Sequence, residues 1–161
     1  MSPIPAGPYL PTAGLVAQAW LAQRVPTFSA AMVASSLPRD VTTWADAGFV
    51  QVTIVPGAAR VDSGEARGSL VQVDCWAVTV GADGSVAAKP PVAKATRLAE
   101  LILRACDDDV QVFGRPVDMP ANYLPARVLA VYPATDPSEI PGDPGGYARV
   151  TLDLRVDWAR L

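Results

Sequence analysis

Histidine is missing from all 161 residues. Its absence removes the commonest general base and the commonest metal ligand together. Cysteine is scarce. With only Cys75 and Cys106 and no export signal, two buried free thiols are a better reading than a disulfide. No apolar run approaches the roughly 18 residues of a membrane span. Charge is thin too, 18% of residues with a net of −3, which argues against a chain whose task is to grip nucleic acid. The opening Met1 to Pro11 is rich in proline, with no basic residue ahead of an apolar stretch, so it does not read as a secretory leader.

What is present is a globular composition, half apolar, of a length that suits one domain spanning 1–161 with an extended segment at 1–11. The clearest element is the last. From Tyr147 to Trp158, Ala148, Val150, Leu152, Leu154, Val156 and Trp158 alternate with Arg149, Thr151, Asp153, Arg155 and Asp157. Side chains of a strand alternate faces, so this is a long strand with one buried and one charged side, the mark of a half-covered antiparallel sheet.

Earlier elements follow the same logic. The spacing of Leu15, Val16, Ala19, Trp20 and Gln23 predicts a helix over 12–24, opened by Pro11-Thr12 and stopped by Pro26. Residues 27–48 are ambiguous between helical turn and short strand. Phe49 to Val55 is β-branched and reads as a strand ended by Pro56-Gly57. Residues 58–69 are small and polar and read as a loop. Leu70 to Val80 reads as a strand, Gly81 to Gly84 as a turn, and Val92 to Cys106 as a second helix that stops before Asp107-Asp108-Asp109, which sit badly at a negative helix end. Val110 to Phe113 reads as a short strand, Gly114-Arg115-Pro116 as a turn and Arg127 to Tyr132 as a strand. Residues 133–146, with four prolines and three glycines, read as a long exposed loop. The fold class is therefore α/β of the α+β kind: a mostly antiparallel sheet with two helices packed on one face.

No catalytic set emerges. The serines lack an imidazole partner and a strand-to-helix elbow, Cys75 lacks an activating base, and the glycines of 142–146 precede a strand, so they make no phosphate cradle. Asp107 to Asp109 lack the spaced ligands of a calcium loop and read as a solvated turn. No cofactor and no metal is expected. Two readings of the charged face of the last strand stay open. Arg149, Asp153, Arg155 and Asp157, with Arg67 and Glu65, could be solvated or paired across strands, or could form a subunit contact whose charges fix register between copies.

Five segments in order carry a family pattern: Leu-Val-x-x-x-Trp-Leu (Leu15 to Leu21), Phe-Val-x-Val (Phe49 to Val52), Val-Asp-Cys-Trp-Ala (Val73 to Ala77), Ala-x-x-Leu-Ala (Ala95 to Ala99) and Arg-Val-Thr-Leu-Asp-Leu-Arg-Val (Arg149 to Val156). The set resembles the tail terminator, or tail-completion, proteins of long-tailed bacteriophages, over most of Leu15 to Trp158. The resemblance implies a small non-enzymatic virion subunit, assembled in the host cytoplasm into a homo-oligomeric ring, a hexamer. The ring caps the tail tube, ends its polymerisation and meets the neck, or head-completion, protein. DNA would pass through the lumen without specific binding, and no membrane is involved. Loops 58–69 and 133–146 depart from shorter members of the family. They are expected to be mobile in the free chain and to order against neighbouring subunits, tail tube or neck, with Pro137, Glu139, Ile140, Pro141 and Asp143 as contact residues. Rival readings are another neck or adaptor component, a histidine-free enzyme using Asp74, or a ligand-binding module with a pocket under Trp20 or Trp76.

Overall fold

The computed structural model describes residues 2–4, 6–55, 61–143 and 145–161. Two long helices are where the sequence puts them. Helix α1 runs Ala13–Arg24; the Thr12 hydroxyl accepts from the Leu15 N–H, so the chain caps its own first turn. Its buried stripe is Gly14, Val16, Ala17, Trp20 and Leu21. The helix is thus rotated from the expected stripe, and Leu15 and Ala19 stay only half-buried. Helix α2, Val92–Cys106, buries Ala95, Leu98, Ala99, Ile102 and Ala105. It ends before the three aspartates, as its dipole requires.

Between and after the helices lie strands β1 (Val33–Ala34), β2 (Phe49–Ile54), β3 (Val61–Ser63), β4 (Ala66–Ala77), β5 (Arg115–Val117), β6 (Ala126–Pro133), β7 (Ser138–Glu139) and β8 (Ala148–Arg160). They form one sheet in the order β1-β2-β4-β8-β6-β5, with β3 beside β4 and β7 beside β8. Every ladder is antiparallel except β1 on β2, which is parallel, so the sheet is mixed rather than purely antiparallel. The parallel strand follows from the short 3₁₀ turn Ala30–Met32, which delivers residues 33–34 to the edge of β2 in that direction. The inner face holds Val52, Val71, Val73, Val150, Leu152 and Leu154, all buried beneath α1 and α2.

Four readings of the sequence are corrected. Residues 110–113 are not a strand: Asp109–Val112 is a one-turn helix, α3, because the Asp108 carboxylate accepts from the Val110 N–H and caps it. The expected turn at 114–116 belongs largely to β5. The loop at 58–69 is for the most part a hairpin. Ser63 pairs with Ala66 across a two-residue turn in which Gly64 takes φ +60°, while 58–60 lie outside the described residues. Loop 133–146 is not free of the sheet. β6 pairs with 154–160 of β8 and leaves the edge at 150–151 open, and β7 fills it.

The outer face carries a further surprise. Phe49 has the same strand parity as the polar Gln51, yet it is 1% exposed. It belongs to a second apolar cluster with Trp44, Ala45 and Val78, onto which Trp76 and Tyr147 pack. Segments 37–45 and 78–86 therefore cover one end of the face that the sequence leaves to water.

Candidate functional site: the charged outer face and its latch

The outer face is built by register. Gln72, Asp74 and Trp76 of β4 lie opposite Asp153, Thr151 and Arg149 of β8. Gly68 lies opposite Asp157. Arg149 and Arg155 of β8 are both engaged within the chain. Arg149 Nε and Nη2 donate to Asp143 Oδ2 and Oδ1, both at 3.0 Å. The guanidinium also stacks 4.9 Å from the centre of the Trp76 ring, and Trp76 meets Tyr147 edge-on. Arg155 Nε donates to Asp157 Oδ1 at 3.0 Å. Gly68 makes room for that pair, since a Cβ there would land on the Arg155 guanidinium and the Asp157 carboxylate. Asp153 contributes backbone: its N–H donates to Thr135 Oγ1 at 2.8 Å, and its carbonyl accepts from the Ala134 N–H.

These contacts bring the two sets of candidate residues into one assembly. Asp143 and Ile140, named as loop contacts, are tied to Arg149, named as a face residue, because the Ile140 N–H donates to the Arg149 carbonyl at 2.9 Å. Glu139 is exposed on β7, Pro141 is exposed beyond it, and Pro137 is half-buried. Arg67 and Glu65 stand apart, at the β3–β4 turn. Arg67 has inner-face parity and lies over the Trp158 ring at 5.8 Å, while Glu65 is exposed in the turn.

Asp74 is 4% exposed and accepts from Gln72 Nε2 at 3.2 and 3.1 Å. Trp76 is anchored by its own indole N–H, which donates to Gln51 Oε1. Trp20 is fully buried with its indole N–H on the Gln111 carbonyl. The surface carries open depressions, among them one of about 430 Å³ beside Asp109, Val110, Phe113 and Arg115. Among the described residues no three acidic or sulfur side chains converge as a metal group, and no helix is long and apolar enough to cross a membrane. Both thiols are free. Burial, with Asp107 beside it, pushes Cys106 up to about 12, and burial with Asp74 beside it pushes Cys75 higher still.

Sequence reasoning missed the aromatic cluster, the Thr135 tie and the role of Gly68. Phe49 at a polar parity position was the available signal for the first. The other two depend on which strands become neighbours, which no local pattern reveals.

No family model matches the chain, and no curated protein matches it either. Among solved structures, one similar chain belongs to the "Virion of native gene transfer agent (GTA) particle", at 12% identity and a TM-score of 0.46, covering 92% of this chain and 99% of that one.

Proposed function

We propose that the chain is a structural virion protein of the tail-terminator kind, without catalytic activity. In this reading it is one subunit of a hexameric ring that caps the tail tube, ends tube polymerisation and forms the tail side of the head-tail joint. Its partners are further copies of itself, the tail-tube protein and a neck protein, and DNA passes through the lumen unbound. One observation carries the reading. The five segments that resemble tail terminators fall, in order, on α1, β2, β4, α2 and β8, and these elements pack on one another as the frame of the fold.

The charge balance supports the same reading. Subunits at −3 each would line a lumen that lets DNA slide rather than hold it. A contact between unlike surfaces gives a ring if it closes and a filament if it does not, and a terminator has to close. Native mass spectrometry of the purified chain tests this. A discrete six-subunit species supports the ring; an open-ended ladder of oligomers counts against it.

A further inference from the structure

The segment ahead of Tyr9 is left to water. Residues 2–4 and 6–8 are exposed and make no backbone hydrogen bond to the described residues. The chain is first held at Tyr9, whose N–H donates to the Asn122 carbonyl at 2.6 Å and whose carbonyl accepts from the Leu124 N–H at 2.7 Å. Just before it, the Gly7 backbone lies so near Asn122 that a Cβ there would meet its carbonyl oxygen at 2.7 Å. Beyond this pin stands Ile4, 85% exposed, an aliphatic side chain that gains from being covered. No side chain from Ser2 to Gln23 is charged. Pro3, Pro5 and Pro8 favour an extended backbone and limit the freedom lost when such an arm docks.

A groove of about 260 Å³ runs along the half-buried side of α1. Leu15, Ala19 and Ala22 form one wall, with Val33 of β1 and then Met119 and Pro120 opposite. Gln23 ties the walls together: its amide donates to the Asp118 carbonyl at 2.9 Å and accepts from the Asp118 N–H at 2.8 Å. The groove is therefore a fixed shape with an aliphatic floor, and the charged Asp118 is exposed at its rim. Gln18, half-buried on the α1 wall, has an amide that donates to no described residue.

We propose that residues 2–7 of one copy cross to the next copy and seat Ile4 in this groove. The two sides match in chemistry. The arm is apolar and uncharged, as the groove floor is, and a proline-rich backbone leaves its carbonyls without partners of their own, for which the Gln18 amide is a donor. The occupant is a second copy because the same chain carries both the uncovered side chain and the groove, and its own Ile4 stands in water rather than in its own groove. Three residues at about 3.1 Å each put Ile4 roughly 9 Å beyond Gly7, far enough to pass onto an abutting subunit. Every subunit gives one arm and takes one, which is the head-to-tail relation that can close into a ring. The inference rests on the ring reading and names a contact within it.

Disulfide trapping on the whole chain tests it. A chain carrying both Ile4→Cys and Ala22→Cys should, on mild oxidation, give a ladder of linked copies on a denaturing gel, while either substitution alone should leave monomers. An internal disulfide in a monomeric product would place the arm in its own groove, and linkage by Ile4→Cys alone would mean that arms meet each other; either result overturns the proposal. Linkage that stops at pairs would keep the exchange and count against the ring. In sedimentation velocity, Ile4→Ser should weaken self-association by roughly tenfold or more, with the melting curve of the dissociated chain unchanged because Ile4 is outside the core. If the wild type assembles, Ile4→Ser assembles equally well and the double-cysteine chain does not link, arm exchange is overturned while the ring survives. A wild-type chain that stays monomeric under every condition overturns both.

Discussion

Removing the Asp143 carboxylate tests whether loop 133–146 is a docked part of the subunit or a free arm. The pair it makes with Arg149 is forked, with both bonds at 3.0 Å, and the side chains are only 13% and 26% exposed. Fully exposed pairs contribute about 0.2–1 kcal/mol, and breaking a fully buried pair costs about 3–5 kcal/mol. A forked, partly buried pair falls between, so Asp143→Ala should cost about 1–2 kcal/mol. At about 2–4 °C per kcal/mol for a chain of this size, the melting temperature should drop by about 2–8 °C. The stacking of Arg149 on Trp76 should survive, so Arg149→Ala should cost more than Asp143→Ala. Amide hydrogen exchange gives the sharper reading. Ile140, whose N–H donates to the Arg149 carbonyl, should exchange faster in Asp143→Ala, while Val73 and Leu152 in the core keep their protection. An unchanged melting temperature together with unchanged exchange at Ile140 would refute the docking of this loop through Asp143.

Three other expectations can be checked in the same preparations. Leu152 is 1% exposed opposite Val73, so Leu152→Ala should cost about 2–5 kcal/mol in denaturant titration; an unmoved midpoint would mean the inner face is misassigned. Gly68→Ala should push the ends of the Arg155 and Asp157 side chains aside and, because that pair is partly exposed, cost about 0.2–1 kcal/mol, whereas a loss of several kcal/mol would show that the pair cannot swing away. With the Cys106 thiol raised from 9.0 to about 12, the folded state holds its proton longer than the unfolded chain. The resulting stability is complete below pH 9 and is lost as pH rises toward 12, and alkylation of either thiol at pH 8 should need denaturant.

How far the fold was legible depends on whether a residue's surroundings come from its own strand or from distant ones. The alternation of β8 and the stripe of α2 are local patterns, and both elements appear within two or three residues of expectation. The helix at 109–112 was hidden because its four residues are too few to show a period, and only the Asp108 cap decides it. Strand β7 was hidden for a different reason. It exists because β8 outruns β6 and leaves an edge to fill, and nothing in residues 138–139 says so. The charged face was legible as a list of residues, but its pairing was not. The partner of Arg149 lies in a loop, and the space for Arg155 and Asp157 is provided by a glycine on another strand.

The central claim, that this chain terminates a phage tail tube, is tested most directly by adding it to polymerising cognate tail-tube protein and measuring tube lengths by electron microscopy. The account predicts a ring of density on one end of each tube and elongation that stops when the chain is added. Tubes that keep growing with bare ends, at a concentration where the chain is assembled, would contradict it.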